Sequence, residues 1–509
     1  MALHRAQPES ASFMDLHAAE TRIPQSRRIF VNRNLKMQTI GMIGFDMDHT
    51  LAVYRKLPLE TLAFGATRDK LIHEMHYPEG IRTLRYDPDL IIRGLVVDKR
   101  LGNILKIDQY NYVVRVYHGT RLISKEERKS LYRNRRIRLS SDKYMSIDTL
   151  FGLPEATLFA LLVDHFELVE KTHWRDYTRV YDNVRECIDR AHADDTIKKE
   201  IVGDPERFVL RDPDLALTLE AFRAQGKKLF LLTNSEPYYT QTIMEYLLDG
   251  VLDTSPRWRD FFDYVVVSSG KPAFYHNETA LEPLTAEEMR AAGMEILGDR
   301  PVYRGGGARP FEELAGFRGD EILYVGDHTF GDILRAKKRS RWRTAMVVEE
   351  LEREIELEQT LAGRYRELDE LVAARNKLLF QMDRMRRRLH RLRGDGDLGA
   401  AVASPPGSPD RRVVDPVREL EERLERLRVE CGRTAAGIRD RREELERHFN
   451  KHWGKLFKCE EINSRFGHQV KDFACIYTSA VGNFLAYPAS MYFRSPREIM
   501  PHEMGLDRA

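Results

Sequence analysis

The 509-residue sequence predicts an α/β protein: a doubly wound parallel sheet with an inserted cap and an added antiparallel helical hairpin. Three observations carry that prediction. Four short apolar runs (39–45, 227–233, 263–269 and 321–326) each pass abruptly into polar residues, as strands buried on both faces do. Helical patterns alternate with them, for example DLALTLEAFRAQG before the second run, and strand–helix alternation builds parallel sheets. From residue 351 to 450 the pattern changes to a 3–4 rhythm of apolar positions.

The elements follow in chain order. Residues 1–29 read as a polar arm, and 30–350 as the α/β core, with the cap inserted at roughly 55–205. Within the cap, LIIRGLVVDKRLGNILKID (90–108) and NYVVRVYHG (111–119) place β-formers around the turn-like DKRLGN, which predicts a β-meander. Helical signals dominate 154–200. Leu361, Tyr365, Leu368, Val372, Leu379 and Met382, then Val417, Leu420, Leu424 and Leu427, predict two long helices folding back on each other. The stretch 394–410 (GDGDLGAAVASPPGSPD) is the flexible linker between them. The arginine run 385–393 reads as the solvated face of a helix that also carries many glutamates. Residues 451–509 are expected to pack on the core as a helical segment. The run 473–493 is uncharged and long enough to span a bilayer, but Gly482, Asn483, Pro488 and three tyrosines dilute it, so a buried helix pair is expected.

Composition narrows the function classes. With 82 Lys+Arg against 80 Asp+Glu, no strong overall field draws the chain to nucleic acid or to a membrane surface. A hydrophobic share of 42% excludes global disorder. Cys187, Cys431, Cys459 and Cys475 are scattered without a CxxC pair, which speaks against zinc ribbons and disulfide scaffolds and for a reducing cytoplasm.

Chemistry concentrates at the strand ends. FDMDHTLAVY (45–54) sets Asp46 and Asp48 just past a buried strand, at the sheet edge where ligands bind; alone, this string fits a surface loop or a simple cation site equally well. LLTNS (231–235) offers Thr233, Asn234 and Ser235 as phosphate ligands or as a helix N-cap, and one helix start can serve both ends. SSGKPAFY (268–275) brings Lys271, and YVGDHTFGD (324–332) brings Asp327 and Asp332. Acid, hydroxyl, lysine and acid in that order resemble the haloacid dehalogenase superfamily of phosphohydrolases. The resemblance implies Asp46 as nucleophile, Asp48 as general acid/base, Thr233 as phosphate ligand and Lys271 as charge stabiliser. It also implies Mg²⁺ held by Asp46, the Asp48 backbone carbonyl and Asp327, with Asp332 as neighbour. A phosphate beside several carboxylates costs about 4 kcal/mol per like-charge pair at 4 Å and an effective dielectric near 20, so a cation is required.

The likeness is closer still to cytosolic purine 5′-nucleotidases of the IMP/GMP-preferring kind. It rests on FDMDHTLAVY, RGLVVDKRLGNILKID, FGLPEATLFALLVD, FLLTNSEPYYT, ILYVGDHTFGDILRAKKR and YPASMYFRSPREIMPHE. It implies hydrolysis of 6-hydroxypurine nucleoside monophosphates, phosphotransfer to a nucleoside hydroxyl, and a homotetramer. It also implies base contacts from Arg185 and Asp189, with Lys198 near the phosphate. A helix-surface ion pair is the plainer reading of Arg185 and Asp189. An effector site would use Phe330, Lys338 and Gln469. The chain departs from the family at His49, where Tyr is usual, at Gly152, where an Asn approaches the base, and at Phe473, which replaces a Tyr. A phosphatase for another ester, or a scaffold using the hairpin, are the competing readings. No candidate catalytic residue lies in 394–410. Its deletion is therefore expected to leave phosphate release near the wild-type rate in a steady-state assay.

Overall fold

The structure is a computed structural model that describes residues 22–133, 136–172, 176–296, 300–394 and 416–496. Residues 1–21 of the expected arm, 395–410 of the expected linker and 497–509 of the expected C-terminal segment lie outside the described residues. The chain divides into two compact units. One runs up to Ile355 and resumes at Leu456; the other is Glu356–Lys455.

The larger unit is built on a nine-stranded sheet. Its strands are β1 (Phe30–Val31), β2 (Met42–Phe45), β3 (Lys228–Leu232), β4 (Tyr264–Val267), β5 (Glu282–Pro283), β6 (Val302–Arg304), β7 (Ile322–Gly326), β8 (Arg343–Val347) and β9 (Ile476–Thr478). The spatial order is β1-β9-β8-β7-β2-β3-β4-β6-β5. Every pairing from β9 to β6 is parallel, and only the two edge strands run antiparallel. Side chains alternate in direction along each strand. Ile43, Phe45, Leu229 and Leu231 enter one core, while Met42, Phe230, Leu232 and Tyr324 enter the other. Because both faces are covered, the strands read as continuous apolar runs. The chain winds outward from β2 in both directions, through β3 on one side and β7 on the other. The C-terminal end of β2 is thus the switch point at which doubly wound sheets bind ligands.

The cap insertion leaves and returns at one place, because Val53–Tyr54 pairs antiparallel with Val209–Leu210. Beyond this stem the chain forms α1 (Lys56–His73), then an antiparallel five-stranded sheet containing Val96–Asp98, Asn103–Ile107 and Val113–His118, the expected meander. Then come α2 (Gly152–Asp164), α3 (Thr178–Ala193) and α4 (Thr196–Gly203). After β6 and β7 lie α5 (Ala308–Ala315) and two π-helical turns, Thr329–Leu334 and Ala336–Ser340. Such turns are rare and cluster at functional sites.

The C-terminal expectation needs correction. Residues 473–493 form no helix pair. The helix α6 (Arg465–Phe473) ends where the run begins, β9 then pairs in parallel with β8, and Val481–Ala486 is a 3₁₀ turn. The open edge of β8 takes up these residues: the Cys475 N–H donates to the Thr344 carbonyl at 3.0 Å. No helix among the described residues is long and apolar enough to cross a membrane.

In the second unit, α7 (Ala362–Gly394) and α8 (Pro416–Phe449) are each about 50 Å long at 1.5 Å per residue. Leu361 and Leu368 meet Ile438 and Leu445. Leu379 does not join this seam. It is 46% exposed, while Leu378, seven residues after the seam residue Leu371, is buried.

Two glycines separate packing from propensity. A Cβ on Gly44 would stand 2.0 Å from the Phe230 ring, which is itself wedged against Phe311, Tyr324 and Trp342. A Cβ on Gly65, inside α1, meets nothing within 4 Å. Urea unfolding should show Gly44→Ala destabilised by about 3 kcal/mol. The same measurement should show Gly65→Ala stabilised by about 0.5–1 kcal/mol.

Candidate active site

Each expected chemical residue sits at the carboxyl end of a parallel strand: Asp46 after β2, Thr233 after β3, Lys271 four residues past β4, and Asp327 after β7. The loops lock to one another. Ser269 N–H donates to the Thr233 carbonyl and Ser268 N–H to the Ser235 carbonyl. The Asn234 side chain clamps the lysine loop from the same strand end. Its Oδ1 accepts from Lys271 N–H at 2.7 Å and Ser269 Oγ at 2.8 Å, and its Nδ2 donates to the Lys271 carbonyl. The buried Thr233 hydroxyl accepts from Ser235 N–H.

Lys271 Nζ lies 2.8 Å from Asp46 Oδ1 and 2.9 Å from Asp332 Oδ1, and it donates to Tyr324 Oη at 2.8 Å. Burial pushes the ammonium down, but the Asp332 and Asp46 carboxylates outweigh it and hold the lysine protonated. Burial raises the Asp46 carboxyl; Lys271 opposes that shift, and Asp332, Asp48 and Asp327 add to it. Asp332 thus belongs to the cluster itself. One oxygen from each of Asp46, Asp327 and Asp332 lies within 4.8 Å of the other two. Adding a Cβ to Gly326 would bring it within 2.8 Å of Asp332 Oδ2, so only glycine lets the carboxylate come this close. Burial pushes the Asp327 carboxyl up to about 7, against the pull of His49 and Arg93. Its Oδ2 accepts no hydrogen bond, although Arg93 Nη1 stands 3.6 Å away. Three clustered carboxylates, with the buried Asp327 Oδ2 accepting no hydrogen bond among the described residues, fit a small divalent cation.

Asp48 stands apart from those oxygens. Ser235 Oγ donates to its Oδ2 at 2.7 Å, and Tyr54 Oη donates to its Oδ1. Burial and Asp48 together keep the Tyr54 phenol protonated, so it remains a donor. Tyr54, six residues past Asp48 in the same motif, was open to inspection in the sequence as a partner; Arg93 was not. Arg93 is fully buried, donates to the Asp327 carbonyl at 3.2 Å and pairs with Glu350. The neighbouring Glu349 takes the His49 Nδ1 at 2.7 Å.

His49 packs edge-on to Phe151 at 4.6 Å, and Phe151 in turn meets His192. His192 lies on α3 with Arg185 and Asp189. Arg185 Nε pairs with Asp189 at 3.1 Å and its Nη1 with the buried Glu155 at 2.9 Å. Lys198 pairs with Glu236. Of the expected effector residues, Lys338 lies 5.6 Å from the Phe473 ring centre and Gln469 is buried on α6; for Phe330 the backbone position in the first π-helical turn is described.

A buried lysine between the strand-end Asp46 and Asp332 of the first π-helical turn, beside a hydroxyl-held third carboxylate, makes a site suited to phosphoryl transfer. The 5′ nucleotidase family model matches residues 29–505, and the chain belongs to that family, an enzyme of the 5′-nucleotidase class. A Dictyostelium discoideum 5′-nucleotidase domain-containing protein is 28% identical over 502 residues, spanning 97% of this chain and 77% of that one. Among solved structures, a predicted phosphoglycolate phosphatase from Haemophilus somnus is similar at 15% identity and a TM-score of 0.27, over 61% of this chain and 86% of that one. An archaeal beta-phosphoglucomutase from Pyrococcus is similar at 10% identity and a TM-score of 0.28, over 60% and 87%. Neither of these two distant likenesses bears on the site.

The Asp327 carboxyl sets a pH signature. Raised from 3.8 to about 7, it binds its proton more tightly folded than unfolded, so the stability it contributes is lost as pH rises from about 4 through about 7. In chelator, wild type should lose on the order of 3 kcal/mol relative to Asp327→Asn between pH 5 and pH 8 in urea titrations. Two parallel pH curves would refute the assignment.

Proposed function

We propose that this protein is a Mg²⁺-dependent 5′-nucleotidase of purine monophosphates, IMP and GMP foremost, working through an aspartyl-phosphate on Asp46. The observation that carries this reading is Lys271 held between Asp46 and Asp332 at the switch point, with Asp327 in the same oxygen cluster. Asp46, Asp327 and Asp332 would hold the ion, which supplies positive charge to the phosphoryl oxygens.

The chain's own groups perform the steps. An Asp46 oxygen forms a bond to phosphorus as the bond from phosphorus to the 5′ oxygen breaks. Asp48 gives its proton to that leaving oxygen, then takes one from the water that attacks the phosphorus and frees Asp46. Ser235 and Tyr54 fix the orientation of Asp48 for both transfers. Lys271 offsets negative charge on the transferring group. If a nucleoside hydroxyl replaces that water, the phosphoryl group passes to a second nucleoside.

The purine reading rests on the rings of His49, Phe151 and His192 and on the polar pair beside them. The field at His192 includes Lys198, Asp189, Arg185 and Asp48, so the expected base contacts and the acid share one neighbourhood. Guanidinium donors suit a purine carbonyl, and a carboxylate suits a ring N–H. Cys187, Cys431, Cys459 and Cys475 form no disulfide among the described residues, and a cytoplasmic setting is part of this proposal.

The test is phosphate release from IMP, GMP, AMP and sugar phosphates with Mg²⁺. IMP and GMP should exceed the others at least about tenfold in kcat/KM. A sugar phosphate at the top of the panel would replace the substrate assignment and keep the chemistry. Asp46→Asn should lose about a thousandfold or more in kcat. Asp332→Asn should lose about 10–100-fold, mainly through metal affinity. Equal losses at both positions would contradict the division of roles between nucleophile and metal ligand.

A further inference from the structure

A cavity of about 750 Å³ has Tyr275 in its wall and none of the carboxylates or the lysine of the candidate site, and the chemistry above does not use it. Its walls come from three places. Tyr275 and His276 follow the Lys271 loop, Ala308 and Arg309 begin α5, and Arg318 and Arg339–Arg341 close the rim. Four arginines therefore face one space.

Their charge is only partly offset. Arg309 pairs with Glu278 and Glu313 at 3.7 and 3.4 Å. Glu312, a second wall carboxylate, is fixed in place: its Oε1 accepts from the Trp342 indole at 2.7 Å and from Gly319 N–H at 3.3 Å. Arg318, Arg339 and Arg341 form no ion pair among the described residues, and against the four arginines the wall sets three carboxylates, Glu278, Glu312 and Asp320, an excess of one positive charge. Arg335 Nη1 bonds His276 Nε2 at 3.0 Å; if the arginine donates, the imidazole is neutral with Nδ1–H left as a donor. The cavity thus offers forked guanidinium donors and a ring N–H around an excess of positive charge.

We propose that this cavity is a binding site for a phosphorylated small molecule carrying at least two negative charges. Guanidinium forks match phosphate oxygens two at a time, and the volume falls within the range of small-ligand pockets. The site is separate from the substrate's. Lys337 donates to the Asp472 and Phe473 carbonyls and Lys338 lies over the Phe473 ring, so the adjoining basic residues turn to a different element. It nevertheless shares two parts with the catalytic centre. The Tyr275 phenol lies in the field of Lys271, Asp332 and Asp46, and Arg339 belongs to the π-helical turn that follows Asp332.

The experiment is calorimetric titration of inorganic pyrophosphate into the full chain in chelator, where the metal-free carboxylates of the catalytic cluster repel anions. Wild type should bind one equivalent with a Kd below about 1 mM. The triple variant Arg318→Gln, Arg339→Gln, Arg341→Gln should weaken this at least about tenfold while keeping its phosphate-release activity, and Lys271→Met should bind as wild type does. If the triple variant fails to fold, Arg339→Gln alone should weaken binding about threefold or more. Absence of binding at 5 mM pyrophosphate, about five times that Kd limit, overturns the proposal. So does binding that survives the arginine changes and disappears in Lys271→Met.

Discussion

One buried ammonium group holds this site together. Asp46, Asp327 and Asp332 converge where little water reaches, and each like-charge pair at 4 Å costs about 4 kcal/mol at an effective dielectric near 20. Lys271 offsets two of the three by direct contact. Arg93, buried beside Asp327 and anchored by Glu350, offsets the third at longer range. Burial outweighs the pull of His49 and Arg93 and holds the Asp327 carboxyl up at about 7. The residual demand for positive charge is what a divalent ion can meet.

The sheet makes this concentration of charge possible. Parallel strands end together, so residues far apart in sequence arrive at one edge without long-range contacts of their own. Asn234 then ties the second strand end to the third through the backbone of Lys271, and Tyr324 of β7 reaches both Lys271 and the Leu232 carbonyl. The catalytic side chains are thereby positioned from neighbouring loops as well as from their own.

Much of this was legible in the sequence, for a physical reason. A strand buried on both faces has to be apolar, and its end has to be polar, so Asp46, Thr233, Lys271 and Asp327 announce themselves by position. The meander and the long hairpin helices were legible by periodicity. What was not legible depends on distant pairing. Residues 476–478 become a strand because β8 has an open edge, and nothing local distinguishes them within an uncharged run. Arg93 acquires its role from Asp327 and Glu350, more than 200 residues away. Spacing alone points Leu379 inward, yet Leu378 is the buried residue of the two, a choice made by packing against α8. The stretch 394–410 was legible only as composition.

The stem of the cap has a mechanical meaning. Tyr54 belongs to the antiparallel pair that joins the cap to the sheet, yet its hydroxyl holds Asp48 and also meets Tyr239 on the core side. The hinge of the insertion and the orienting group of the proton donor are therefore the same residue. Under the proposed mechanism such an assembly is an interlock: proton delivery by Asp48 is tied to the residue that joins the insertion to the sheet.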